Sequence, residues 1–225
     1  YSLNKLQIEN DLQAISGQSF SPTALRFATV FGSSPRLRFD VVINMLTGMA
    51  VANNAVVLNS NGLSWRPHLH ILDACQAVLC AINSDHQLGE LLVLNVGSDE
   101  SNLQVIEVAS IIQHAVPNCE LKFLADNPEL DKEGLIKDRK VKEGGSDTRT
   151  YRVSFEKIKN VFPEFVCEWN VERGVKELVN QFQHLPLTNE KFKSRGFYRL
   201  QQLEYLHENG YLSDDLFWLK PAVQT

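Results

Sequence analysis

No stretch of these 225 residues approaches the ~18 consecutive apolar side chains that a bilayer-spanning helix requires, so a membrane partner is not expected. The opening also lacks the basic-then-apolar layout of a secretory signal, which makes the cytoplasm the expected compartment. Cysteine is sparse. Cys75, Cys80, Cys119 and Cys167 form no C-x-x-C pair and meet no histidine at metal-ligand spacing, so no metal site is expected. Cys75 and Cys80 lie in the apolar stretch 74–82 and read as buried, reduced thiols. Excess basic charge is missing too: 22 Lys+Arg against 27 Asp+Glu give a net charge of -5. That balance argues against nucleic acid as a partner while leaving room for a local anion pocket. Internal repeats and low-complexity tracts are absent, and 44% hydrophobic residues suffice for a core.

The most informative feature present is Tyr1-Ser-Leu-Asn-Lys5, a phenol and an ammonium four positions apart. On a helix, residues i and i+4 are surface neighbours, so the ammonium sits beside the phenol and stabilises its phenolate. A free tyrosine titrates near pKa ~10, and a neighbouring cation brings such a group toward use as a base at neutral pH. The spacing is equally that of an ordinary exposed pair. His68 and His70 alternate as two residues on one strand face do, and with no third ligand they read as hydrogen-bonding or packing histidines.

Apolar Leu3, Leu6, Ile8, Leu12 and Ile15 follow close to helical spacing, and Gly17 with Ser21-Pro22 ends that element. Thr23 to Phe31 reads as one buried strand closed by Gly32. A basic link containing Arg36 and Arg38 leads to a helix expected near Phe39 to Ala52, with Asp40 at its start, where a carboxylate suits the helix dipole. Beyond it, strands are expected at 55–59, 68–71, 91–96 and 120–124, with helices at 73–82 and 104–115 between them. This alternation is α/β. The charged stretch 126–147 reads as a long loop, Ser154 and Asn170 as helix N-caps, and 187–218 as a charged helical tail that Gly210 interrupts.

Four blocks stand in a fixed order: Tyr1-Ser-Leu-Asn-Lys5, Leu25-Arg-Phe-Ala-Thr-Val-Phe-Gly32, Trp65-Arg-Pro-His-Leu-His-Ile-Leu-Asp73 and Leu94-Asn-Val-Gly97. In that order and spacing the chain resembles extended short-chain dehydrogenases/reductases, in the nucleotide-sugar epimerase/dehydratase branch. The blocks Ser34 to Asp40 and Trp65-Arg-Pro67, with the helical tail, resemble a subgroup associated with surface-polysaccharide sugar biosynthesis. The resemblance implies the C-terminal part of a Rossmann-type parallel sheet, a smaller mixed α/β substrate-binding domain and a helical tail. Its boundaries would be 1–35 for the end of the dinucleotide-binding domain, 36–186 for the substrate-binding domain with returning Rossmann elements near 68–97, and 187–225 for the tail. It further implies that a Gly-rich Rossmann half belongs before Tyr1, since no G-x-x-G-x-x-G occurs and the sequence opens on the motif itself. The chain is therefore expected to be a fragment, inactive alone, with apolar edges left open on 25–31 and 91–96.

By the same resemblance Tyr1 and Lys5 are the catalytic pair, acting with NAD or NADP. Tyr1 would take a proton from a sugar hydroxyl, and Lys5 would hold the nicotinamide ribose. Phe27 and Val30 would pack near the nicotinamide carboxamide, and Thr29 falls where many relatives carry a substrate-contacting Asn. Arg66 and Arg149 would clamp the diphosphate of a nucleotide-diphosphate sugar, and a guanidinium fork suits phosphate oxygens in shape and charge. Lys142 to Ser146 offers no further arginine for that clamp. Arg36, Arg38 and Asp40 would reach the sugar or the phosphates, or merely solvate the link. A homodimer packed through the first helix is also implied.

The expected function is thus nucleotide-sugar epimerase, dehydratase or reductase chemistry by hydride exchange at a sugar carbon. A non-catalytic nucleotide-sugar-binding or subunit-assembly module is the alternative. A weaker third is a metal-dependent hydrolase built on His68, His70 and Asp73.

Overall fold

The computed structural model describes residues 1–84, 89–124 and 149–219, so the expected loop at 126–147 lies outside the described residues. The chain is α/β, as the alternation of patterns requires. Helix α1 (Ser2–Ile15) is followed by strands β1 (Thr23–Phe27) and β2 (Thr29–Phe31), helix α2 (Val42–Asn53) and strand β3 (Ala55–Leu58). Strand β4 (Trp65–His70) runs directly into α3 (Ile71–Asn83), and then come β5 (Leu92–Val96), β6 (Asn102–Gln104), α4 (Val105–Ala115) and β7 (Glu120–Phe123). Helices α5 (Glu156–Val161), α6 (Val171–His184), α7 (Asn189–Phe192) and α8 (Arg199–Glu208) complete the described chain.

The strands form three small sheets: β1 parallel to β5, β3 parallel to β7, and a three-stranded sheet in which β4 lies between parallel β2 and antiparallel β6. The single strand expected over 23–31 is broken at Ala28. Phe31 belongs to a core built on α2, β3, α4 and α6, whereas Ala28 and Leu25 pack with Leu94, Val96, Phe155 and Phe162 in a second core. Crossing from one core to the other changes the pairing partner from β5 to β4. Ala28 keeps its amide satisfied by donating to Val96 O at 3.0 Å.

The remaining differences from the sequence reading are local. Helix α2 begins after Asp40 and closes on Asn54 in a left-handed conformation, φ 52°. Asn170 caps α6 as its side chain suggested, accepting from Arg173 N–H, while Phe155 rather than Ser154 is the cap of α5. The expected helical tail is divided into α7, a 3-10 turn at Arg195–Phe197, and α8. Cys75 is exposed, contrary to expectation, because α3 buries Ala74, Ala77 and Cys80 at three-residue spacing and turns Cys75 away from that face. Of the two segments expected to show open apolar edges, 91–96 is well covered, with Leu94 and Val96 fully buried, whereas Phe27 at the end of β1 is 42% exposed.

Helix α6 crosses β4 at a glycine. A Cβ on Gly174 would stand 2.5 Å from Phe31 Cε2 and 3.0 Å from His70 Cδ2, inside van der Waals distance of two buried rings. We expect Gly174→Ala to destabilise the fold by about 1–3 kcal/mol through overpacking, despite the helix-propensity gain of ~1 kcal/mol. Gly17→Ala, where a Cβ meets open space, is expected to change stability by less than about 0.5 kcal/mol. Urea unfolding midpoints of the two variants check both values.

Candidate functional site

Tyr1 caps α1, and the first helical hydrogen bond, Lys5 N–H to Tyr1 O at 3.1 Å, stacks the two side chains on one face. The Lys5 ammonium lies 5.6 Å from the centre of the Tyr1 ring. Both are exposed, and α1 buries none of its residues. It is tied to β1 by an ion pair between Glu9 and Arg26, which marks Arg26 as a structural residue.

The link after β2 stands beside this helix. Arg38 grips Asp40 with a two-pronged contact, Nε to Oδ1 at 2.7 Å and Nη2 to Oδ2 at 2.8 Å. Those bonds, opposed by burial and assisted by the charges of Asp40 and Tyr1, raise the Arg38 pKa, so Tyr1 stands within electrostatic reach of this guanidinium. Burial raises the Asp40 carboxyl, but the Arg38 bonds and charge outweigh it and the net shift is downward. Asp40 is thus engaged with Arg38 rather than with the α2 N-terminus. Arg36 lines a separate open cleft of about 330 Å³ with Pro35, Leu37, Gly196, Phe197 and Gln202.

A second group of residues gathers at the start of β4. Arg66 donates to the carbonyls of Trp65, at 2.7 Å, and of Arg149, a residue 83 positions away. Its guanidinium also covers the Tyr151 ring at 5.2 Å, while Arg152 covers Trp65 at 4.8 Å. The two arginines that the sequence singled out for one diphosphate are therefore adjacent. Thr29 pairs in register with His68, and Val30 packs on the second core beside Leu69.

The end of β4 is structural. His70 is fully buried, accepts from Leu72 N–H at Nδ1, and so presents its ring proton at Nε2 to Glu177, 3.0 Å away. Its ring stacks on Trp169 at 4.2 Å, and Arg173 lies over that indole at 4.0 Å. Gly32, with φ 113°, passes so close that a Cβ there would stand 2.4 Å from His70 Nε2. Asp73 accepts from the amides of Glu168 and Trp169, both at 3.1 Å, and burial pushes its carboxyl up against the pull of those bonds. With His70 and Asp73 engaged this way, the hydrolase alternative loses its ligands. No cluster of three candidate metal ligands exists among the described residues. Burial also pushes the Cys167 thiol up to about 12, which disfavours its thiolate at neutral pH.

His68 differs from its neighbour. It is 1% exposed, and neither ring nitrogen has a hydrogen-bond partner among the described residues. The sequence marked this histidine but gave no sign that its partner would be missing.

Parallel strands joined through helices, with charged side chains collected at strand ends, define a Rossmann-type α/β protein. Residues 1–97 match the model of the NAD dependent epimerase/dehydratase family. Among solved structures, the fold is similar to ADP-L-glycero-D-manno-heptose-6-epimerase of Helicobacter pylori, with 18% identity and TM-score 0.61 over 81% of this chain and 50% of that one. It is also similar to UDP-N-acetylglucosamine 4-epimerase of Bacillus cereus, with 21% identity and TM-score 0.58 over 81% and 53%. A third is dTDP-glucose 4,6-dehydratase of Bacillus anthracis in complex with NAD, with 21% identity and TM-score 0.52 over 76% and 46%. The chain spans about half the length of these structures.

Burial, reinforced by the Arg66 charge, lowers the His68 pKa from 6.5 to about 4. The unfolded chain therefore binds a proton that the folded chain refuses between those values, so stability falls as pH drops from 6.5 toward 4. The loss is of order 3 kcal/mol if no other group compensates. Unfolding free energies measured across this window should show the slope, and His68→Phe should remove it.

Proposed function

We propose that this chain supplies the catalytic pair and the substrate-binding arginines of an NAD(P)-dependent nucleotide-sugar epimerase or dehydratase. The observation that carries the reading is the convergence of Arg66 and Arg149, joined by a hydrogen bond across 83 positions of sequence. The bond runs from the Arg66 guanidinium to the Arg149 backbone carbonyl, so two arginine residues meet at one strand end, and guanidinium forks suit a diphosphate in shape and charge. The names of the similar structures, with ADP-, UDP- and dTDP-sugars among them, support the same substrate class.

Tyr1 is the proton-transfer group in this reading and Lys5 its electrostatic partner, since their spacing stacks one on the other. Thr29, in register beside His68, lies where the sugar passes, while Arg36 and the Arg38–Asp40 pair border it from the link. The dinucleotide, when bound, supplies a hydride acceptor for a sugar carbon. The described residues fit its nicotinamide-ribose end: an ammonium at Lys5, a phenol at Tyr1, the exposed Phe27 ring and the partly buried Val30. The choice between NAD and NADP is left to titration. A homodimer fits the exposure of Leu3, Leu6 and Ile8 on α1, and a cytoplasmic enzyme fits the lack, among the described residues, of any helix able to cross a membrane. Polysaccharide-sugar biosynthesis is the proposed context.

The test separates binding from chemistry. Arg66→Ala should weaken nucleotide-sugar binding by at least about tenfold in calorimetry. Tyr1→Phe should leave that affinity within about twofold while abolishing turnover in the holoenzyme. Nucleotide-sugar affinity unchanged by Arg66→Ala would refute the reading, and intact nucleotide-sugar binding without turnover in the holoenzyme would favour the non-catalytic module.

A further inference from the structure

We propose that His68 reads the sugar of the bound nucleotide sugar, hydrogen-bonding a neutral hexose hydroxyl from beneath the half-buried Thr29 and Arg66. This rests on the nucleotide-sugar reading and deepens it. Alternation along β4 places Arg66, His68 and His70 on one face. The parallel register then sets Thr29 beside His68 and Phe31 beside His70, on that same face. Thr29 and Arg66 are half-buried, whereas Phe31 and His70 are buried, so His68 stands where the partly open rim gives way to the core.

Buried imidazole nitrogens are almost always bonded, and each one left without a partner costs about 1–3 kcal/mol. His70 obeys that rule with Leu72 and Glu177, two residues along the same strand. At His68 both nitrogens are unpartnered among the described residues, and on the core side stands the edge-on Phe31 ring, with centroids 6.4 Å apart, which offers no acceptor. The complement must enter from the rim. Burial keeps this ring neutral, so it presents one N–H and one lone pair. A hydroxyl donates and accepts, and matches both; a carboxylate only accepts, and would carry charge onto a floor that disfavours it.

The full chain is first titrated calorimetrically with UDP-, dTDP-, ADP-, GDP- and CDP-glucose. The tightest of these is then compared with its free nucleoside diphosphate, using wild type, His68→Phe, His68→Gln and Arg66→Ala. His68→Phe should weaken the glucose ligand about tenfold and the free diphosphate less than about twofold, while Arg66→Ala weakens both. His68→Gln, which keeps a donor and an acceptor, should recover part of the loss. In wild type labelled with 15N-histidine, the His68 ring resonances should move with the glucose ligand and stay still with the diphosphate, a readout independent of whether the variants fold. Unmoved resonances, or a His68→Phe protein that binds the glucose ligand as wild type does, would mean that only water serves His68 and would overturn the inference. If Arg66→Ala still weakened binding, the nucleotide-sugar reading would survive that result. If wild type bound none of the five, both would fall.

Discussion

Strand β4 is hydrogen-bonded on both edges, to β2 in parallel and β6 in antiparallel register, and this fixes which of its side chains meet which core. Arg66, His68 and His70 share one face, and Leu69 points to the other, into the core of Ala28, Ala74 and Leu94. A slip of one residue would turn the Arg66 guanidinium toward that apolar core and Leu69 away from it. An unpaired buried charge costs several kcal/mol, so the hydrophobic pattern of one core sets where the arginine must stand. Position of the ligand-facing group is thus a consequence of packing on the opposite side of the sheet.

The same strand ends on a hub that ties together elements distant in sequence. His70 joins α3 through the Leu72 amide and α6 through Glu177, and Glu177 also accepts from Ser33 N–H at 3.4 Å, at the start of the arginine-bearing link. Gly32 donates to Asn44 Oδ1 at 3.0 Å, and the same side chain donates to Arg38 O at 3.1 Å. The Arg38–Asp40 pair is therefore carried on contacts that lead back to β4. Close approach at Gly32 and Gly174 makes this possible, because a side chain at either would displace the buried imidazole. Rigid support beneath a binding group limits the conformational entropy it loses on meeting a ligand.

Hydrophobic periodicity made the α/β alternation legible, and the near-continuous apolar run at 91–96 identified a strand that is parallel, though buried only at Leu94 and Val96. The break at Ala28 was not legible, since Thr23 to Phe31 is uniformly β-forming and only the existence of two cores divides it. Cys75 was misplaced because an apolar neighbourhood in sequence does not say which residues of a helix face inward. Arg66 and Arg149 were visible as residue types suited to phosphate, but their adjacency depends on the segment 149–151 returning to the start of β4, where Tyr151 N–H meets Trp65 O. His68 was visible as a residue and invisible as an anomaly. An unsatisfied hydrogen-bonding group is a property of its surroundings, which no single-chain pattern encodes.

The proposed machinery divides between an exposed pair and a buried strand, and the two respond differently to water. Tyr1 and Lys5 lie in solvent, where attraction between unit charges about 4 Å apart is only about 1 kcal/mol and salt screens it further. At the effective dielectric of a partly covered protein surface the same attraction is about four times larger. The pair therefore gains its strength as an acid/base device when a ligand or a protein surface covers it. His68 differs, because it is already buried and its surroundings disfavour a charged ring before any ligand arrives. In the proposed reading, the group at β4 is held in place before a ligand arrives, whereas the pair at α1 strengthens only on being covered.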